Sequence, residues 1–323
     1  MRSPSLLVAL ALLFLTGCTS SSGLDALSVG SPSLEKTSSI QRPKAAVASS
    51  DDAAPQAPQS AAEIAEALEP AAEVVAMVAV GAPTAALASL SALRIHPQKF
   101  RDAKPINFGS AAPQKLAVHG VDVSRWQGEI DWAKLRSQGA NFAFIKATDG
   151  GDHLDPMFKK NWRAAHEAGL KRGAYHFFYW CRTAGEQADW FIRNVPKVEG
   201  ALPPVLDVEY NGESRCRMRL SRKRVIEKMQ VFLDKLEAHY GQRPIIYTAP
   251  DFYKDNLKGA FPNHPFWLRS VAAHPSKRYP NRPWVFWQYS GSGLSKGVEG
   301  KIDLNVFHGD EDQWRAWLAR NAG

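Results

Sequence analysis

The sequence predicts an α/β fold: an irregular (β/α) barrel of the TIM-like type with short connections among its last strands, preceded by a disordered N-terminal tether. Three observations predict it. Eight strand-length apolar runs follow one another from residue 118 onward, the early ones alternate with capped helical patterns, and the chain before about residue 113 shows neither period.

Residues 1–17 open with a single Arg and an apolar run from Leu6 to Leu15, and Leu15-Thr16-Gly17-Cys18 follows. The run is too short to span a bilayer and reads as an export signal ending in a lipobox. That pattern resembles bacterial lipoprotein signals, which implies cleavage before Cys18 and a lipid on its sulfur. The mature chain is then anchored to a membrane rather than spanning it. Thr19 after the cysteine resembles outer-membrane sorting, facing the periplasm, if the host is Gram-negative.

Residues 18–113 are rich in Ala, Ser, Pro and Gln and poor in aromatic residues. Such a stretch does not offset its own ordering entropy and is expected to be a tether. Val74 to Leu93 carries no charge, but its Ala content and Gly81-Ala82-Pro83 argue against a spanning helix.

The ordered domain is expected over 114–323. Its strands are expected at Val118–Val123, Phe142–Lys146, Gly173–Tyr179, Pro204–Val208, Pro244–Thr248, Phe266–Arg269, Val285–Tyr289 and Ile302–Val306. Asp155-Pro156 opens a helix that buries Phe158, Trp162 and Ala165 and stops at Gly169. Thr183 and Glu186 have capping-box spacing for the next helix, with Phe191 and Ile192 inward. Ser221 caps a third, whose stripe of Val225, Met229, Phe232 and Leu236 runs up to Gly241. Strand-helix alternation argues for parallel pairing. After Thr248 the connections shorten and long helical patterns vanish.

The formal charge of +8 and pI near 9.3 favour anionic envelope polymers or lipid surfaces over nucleic acid. The densest basic run, Arg215 to Arg224, leads into the third helix, where a solvated face is the plainer reading. With Cys18 assigned to lipid, Cys181 and Cys216 remain in an oxidising compartment. Both follow expected strand ends, where a disulfide is plausible if the strands are neighbours.

Reactive groups in such barrels gather where strands end and loops begin. Pro203-Pro-Val-Leu-Asp207-Val-Glu209 ends an apolar strand in two carboxylates two residues apart, which places them on one face. Side by side and stripped of water, such acids have their pKa values pushed apart, so that one stays protonated near neutrality. Closure of a barrel makes the first and last strands neighbours and brings Asp122 and Asp303 together. Aromatic residues near strand ends suit a carbohydrate groove, because their faces stack on sugar C–H surfaces: Trp126, Tyr175, Phe177, Tyr247, Trp267, Trp287 and Tyr289. Some of them must be core. His176 reads as a wall residue rather than a base. No metal cluster, phosphate loop or nucleophilic triad competes, and no cofactor is expected.

Ordered motifs from Val118 to Phe307 resemble the lysozymes of glycoside hydrolase family 25, the Chalaropsis-type muramidases. They are His119-Gly-Val-Asp-Val-Ser124, Trp126-Gln-Gly128, Phe144-Ile-Lys-Ala-Thr148, Gly173-Ala-Tyr-His-Phe177, Asp207-Val-Glu209, Gln288-Tyr-Ser290 and Ile302-Asp-Leu-Asn305. The resemblance implies that Glu209 protonates a glycosidic oxygen and Asp207 stabilises positive charge at the anomeric carbon. Asp122 and Asp303 then line the pocket, with Trp126, Tyr175, Phe177, Tyr247, Trp267 and Gln288 as substrate contacts. The implied substrate is the β-1,4 bond between N-acetylmuramic acid and N-acetylglucosamine in peptidoglycan. A carboxylate nucleophile or base and a substrate-assisted route both remain open. Two departures stand out: Asp149 where the family usually has Glu, and Arg269 where it commonly has Ala. The alternative reading is a non-catalytic peptidoglycan-binding module anchored to the envelope; a third is a scaffold that positions a partner.

Overall fold

The computed structural model describes residues 93–212 and 214–323. The signal over 1–17, Cys18 and the tether up to residue 92 lie outside the described residues.

Ten strands form one sheet: β1 (Arg101–Asp102), β2 (His119–Val123), β3 (Phe142–Asp149), β4 (His153–Leu154), β5 (Lys171–Phe177), β6 (Val205–Val208), β7 (Ile245–Thr248), β8 (Phe266–Arg269), β9 (Phe286–Leu294) and β10 (Ile302–Phe307). Eight of them close into a mixed barrel, with β1 and β4 as appendages on β9 and β3. Neighbours from β2 through β9 pair in parallel, whereas β10 runs antiparallel to both β9 and β2. Purely parallel pairing, expected from the strand-helix alternation, therefore stops at β9. The link from Leu294 to Ile302 is too short for a crossover helix, so the chain returns as a hairpin.

The helices on the outside are α1 (Trp132–Ser137), α2 (Phe158–Glu167), α3 (Ala184–Asn194), α4 (Arg222–Tyr240) and α5 (Glu311–Asn321). Their starts are chemically marked. Thr183 Oγ1 accepts from the Glu186 amide and Ser221 Oγ from the Arg224 amide, satisfying donors left orphaned at a helix start. Gly241, at φ 70°, ends α4 in the left-handed conformation that a side chain disfavours. α1 and α5 were not anticipated from the sequence. Asp131 caps α1, and Asp310 with Gln313 forms a reciprocal capping box on α5.

Two apolar layers result. Outside the barrel, Val121, Ile145, Leu206 and Ile246 pack on Trp162, Phe191, Phe232 and Leu236 of the helices. Inside it, Phe142, Phe144, Val205, Ile245, Trp267 and Phe286 fill the lower part, and Trp314 and Trp317 of α5 close the bottom. Phe144 stacks on Trp267 at 4.6 Å between ring centroids. Gly120 and Gly173 make room for these rings: a Cβ at either would come within 2.5 Å or 2.7 Å of Phe142 or Phe144. The interior is thus solid below, leaving only the C-terminal ends of the strands for a cleft.

The domain boundary expected at residue 113 lies further toward the N-terminus. Leu93 and Ile95 pack beneath the barrel, the Arg136 guanidinium donates to the Arg94 carbonyl, β1 pairs with β9, and Phe108 meets Trp287 edge-on. The low-complexity composition hid this, because single apolar residues spaced along an irregular strap carry no period.

Cys181 and Cys216 form a disulfide between the loops that follow β5 and β6, with 5.4 Å between their Cα atoms. Parallel adjacency of those strands brings the loops together. Replacing both cysteines with serine is expected to lower stability by roughly 2–4 kcal/mol. Denaturant unfolding of the double variant checks this; an unchanged midpoint would show that the loops are held by packing alone.

Candidate active site

Alternation along β6 turns Asp207 into the barrel and keeps Glu209, just past the strand, on the same side. Asp207 is buried, and its Oδ1 has no hydrogen-bond partner. Glu209 is partly exposed at the mouth. The Trp180 indole donates to the Glu209 carbonyl at 2.7 Å, fixing the backbone from which its carboxyl projects.

Burial pushes the Asp207 carboxyl well above the usual range; repulsion from Glu209 adds to this and Lys146 opposes it. Burial also raises Glu209, but the Arg269 guanidinium works against that rise. Burial thus pushes both carboxyls toward the protonated form, and the two titrate as an interacting pair. Asp207 is buried and Glu209 half-buried, so the pair combines a deep carboxyl with one nearer solvent.

Across the barrel, Asp303 lies directly opposite Asp122 in the β10–β2 register. Asp122 accepts from Asn305 Nδ2 at 2.6 Å and from Gln288 Nε2 at 2.9 Å. Burial nonetheless raises its pKa to about 6, with Asn305, Gln288, Asp303 and Arg269 all working the other way. Gln288 in turn accepts from the Tyr247 hydroxyl at 2.9 Å, and the Trp267 indole donates to Asn305 Oδ1 at 2.8 Å. A relay of hydrogen bonds thus runs from the packed interior to the acids.

The expected substrate contacts divide. Trp126 sits on the rim, 48% exposed, with the Arg125 guanidinium 4.6 Å from its ring. Tyr175, Phe177 and Tyr247 line the wall below the mouth, nearly buried; Asp122 and Asp207 lie close enough to help burial raise the Tyr175 phenol well above its usual value. Trp267 is corrected: only 2% exposed and stacked on Phe144, it supports the site from beneath rather than facing a ligand. Gln288 spends both ends of its amide on Tyr247 and Asp122, which makes it a positioning group. Trp287 and Tyr289 belong to the outer layer. His176 also faces outward, between Thr148 at 2.8 Å and Gln187 at 3.2 Å, and burial lowers its pKa to about 4. It is a neutral wall residue.

Sequence reasoning missed Lys146 as a site residue. Its ammonium is buried, pairs with Asp149 at 2.9 Å and lies 5.3 Å from the Phe177 ring centroid. The signal was present in the sequence, since a lysine inside an otherwise apolar strand needs a buried partner. What turns Asp149 toward it is a register shift between Lys146 and Thr148 on β3, which returns Asp149 opposite the inward Phe177.

Arg269 ends β8 beside Gln288 in register, and its guanidinium feels Tyr247, Glu209 and Asp303. It thus points into the mouth. Because its charge favours ionised Glu209, Arg269→Met is expected to raise the pKa of that acid and move the basic limb of the activity profile to higher pH. Arg269→Lys is expected to leave the limb nearly in place. Profiles of kcat/KM against pH decide, and an unmoved limb in the Met variant removes Arg269 from control of the acid.

Inward acids at the C-terminal mouth of a closed barrel suit hydrolysis of a glycosidic bond. The profile of glycosyl hydrolases family 25 matches residues 121–298, which takes in most of β2, Asp207, Glu209 and β9. The chain belongs to this family. YegX of Escherichia coli strain K12, itself uncharacterised, is 40% identical over 232 residues, covering 69% of this chain and 81% of that protein. Lysozyme M1 of Streptomyces globisporus is 36% identical over 220 residues, covering 63% and 72%. Among solved structures, a family 25 glycosyl hydrolase from Bacillus anthracis superposes with a TM-score of 0.60 at 38% identity, covering 67% of this chain and 98% of that one. The family 25 match spans the mouth just described.

Proposed function

We propose that this family 25 enzyme is a muramidase that hydrolyses the β-1,4 bond between N-acetylmuramic acid and N-acetylglucosamine in peptidoglycan, in remodelling or lysis of the wall. The single observation that carries the reading is the pair Asp207 and Glu209 on one inner face at the C-terminal end of the barrel, one buried and one partly exposed, both with pKa raised by burial. Similarity to lysozymes supports the substrate class.

The geometry suggests how the proton is used. Glu209, at the rim, is the acid that reaches a leaving-group oxygen. As the bond stretches, positive charge grows at the anomeric carbon and stabilises the ionised form of Asp207. Lys146 already favours that form. Glu209 gives its proton to the leaving oxygen, and Asp207 faces the sugar as an anion or orients its acetamido group. Asp122, held by Asn305 and Gln288, fixes the opposite wall. Trp126 offers a face for a neighbouring sugar ring. No cofactor enters this scheme.

Release of reducing ends from purified peptidoglycan, with mass spectrometry of the products, tests the reading. Fragments ending in reducing N-acetylmuramic acid support it. Ends in N-acetylglucosamine reassign the bond, and binding without release makes the chain a peptidoglycan-binding module.

The tether reading extends this to location. A lipid on Cys18 would hold the enzyme at the envelope, on the periplasmic face of the outer membrane in a Gram-negative host. Cys18→Ser is expected to shift the protein from the membrane to the soluble fraction, with loss of radiolabelled palmitate. Membrane retention of the variant would rule the anchor out.

A further inference from the structure

The loop that leaves the active site carries a concentration of charge that the hydrolytic reading does not use. From Asn211 to Lys223 the sequence holds Arg215, Arg217, Arg219, Arg222 and Lys223 against Glu213 as the single carboxylate. Arg215, Arg217 and Arg219 are all exposed, beside exposed Met218. None of the three has an ion-pair partner among the described residues. The contacts they do make are within the loop or beside the site: Arg217 Nε donates to the Ser214 carbonyl at 3.2 Å, and the Arg219 guanidinium lies 3.7 Å from the Tyr210 ring centroid.

Two features separate this loop from an ordinary solvated surface. It is braced: Cys216 is tied to Cys181, Asn211 accepts from the Trp180 amide at 3.1 Å and donates to the Phe178 carbonyl at 3.1 Å. It is also placed, because Tyr210, under Arg219, directly follows Glu209 at the mouth of the barrel. Charges on a braced loop lose little conformational entropy on binding, and guanidinium groups match carboxylates in a planar, two-point fashion. A row of cations beside a catalytic cleft also raises the local concentration of an anionic polymer.

We propose that Arg215, Arg217 and Arg219 form a rim that binds the carboxylates of the peptide stems on peptidoglycan, so that the enzyme favours stem-bearing glycan over stripped glycan. This rests on the peptidoglycan reading above. The stems branch from the muramic acid beside the scissile bond and carry glutamyl and C-terminal carboxylates. A strand seated in the cleft therefore presents anions along its flank, where the loop stands.

The test uses the full chain with Glu209→Gln, so that binding is read without turnover. Its affinity is measured by co-sedimentation for intact sacculi, for sacculi freed of stems by an amidase, and for anionic phospholipid vesicles. Intact sacculi are expected to bind about tenfold more tightly than stripped ones, the scale of three exposed ion pairs. The ratio should collapse toward one when Arg215, Arg217 and Arg219 are all changed to Ser, and fall only part of the way when all three are changed to Lys, which keeps the charge but loses the two-point match. Thermal unfolding of both triple variants checks that the loop change leaves the barrel folded. A ratio near one in the parent, or one that survives the Ser substitutions, overturns the proposal. So does a loss confined to vesicles, which would assign the cations to a lipid surface. Reducing-end release from stripped glycan by the unmodified enzyme is scored separately. Absence of release from intact sacculi as well would sink the muramidase reading, while the binding ratio would still report on the rim.

Discussion

Glu209→Gln is expected to lower kcat/KM on peptidoglycan by about 100- to 10,000-fold, the range a positioned general acid contributes. The substitution keeps the volume of the side chain and its capacity to hydrogen-bond, but the amide has no proton to give a departing oxygen. It also removes one of two interacting carboxyls, so stability should hold or rise slightly. Burial and the Glu209 charge both press Asp207 upward, and without that charge Asp207 titrates nearer its ordinary range. Kinetics of reducing-end release, alongside a thermal melt, separate the two effects. A variant retaining a tenth or more of the parent rate would move the acid role elsewhere, and Asp207 would be first in line. Asp207→Asn should also lower kcat, and raising the pH should not rescue it, because its role is charge and orientation rather than proton donation.

Trp267→Ala is expected to destabilise the domain by roughly 3–5 kcal/mol, as truncation of a large aromatic in a packed core does. The indole is 2% exposed, stacks on Phe144, meets Tyr247 at 4.5 Å between centroids and donates to Asn305. Its removal therefore leaves a cavity under the site and an unpaired amide oxygen beside Asp122. Trp267→Phe isolates the second effect: much of the stacking remains while the indole N–H is lost, which should cost about 1–3 kcal/mol. Denaturant unfolding gives both numbers. Because Asn305 also holds Asp122, kcat should fall in the Phe variant even under conditions where it is fully folded. Normal turnover in a folded Trp267→Phe enzyme would show that the relay from Trp267 to Asp122 is structural only.

The mouth of the site combines acids of raised pKa with two cations that oppose the rise, Lys146 from below and Arg269 from the rim. Burial thus favours protonation of the Asp207–Glu209 pair while the two cations favour its ionisation. Where other family members commonly carry Ala, this chain has Arg269, so its acid is expected to be tuned differently.

Much of this was legible in the chain. All eight barrel strands were marked by apolar runs, and α2, α3 and α4 by their caps and stripes, because burial and hydrogen-bond satisfaction act locally on those patterns. The adjacency of Asp122 and Asp303 followed from closure alone. α5 was readable from Asp310 and Gln313 but was masked by the charged residues between them. The strap over residues 93–113 was not readable, since it gains its order from contacts with Trp287, Arg136 and β9 that are remote in sequence.

The sequence by itself determined the barrel, its capped helices and the two carboxylates at the end of β6, because each depends on periodicities of two or 3.6 residues within a short window. Only the tertiary structure decided that Trp267 is a buried support, that a register shift on β3 aims Asp149 at Lys146, that β10 closes the barrel antiparallel, and that Lys146 and Arg269 oppose the rise that burial imposes on Asp207 and Glu209. Those outcomes depend on depth and on neighbours brought in from distant segments. Desolvation and Coulomb interactions follow distance in space, which spacing along the chain does not encode.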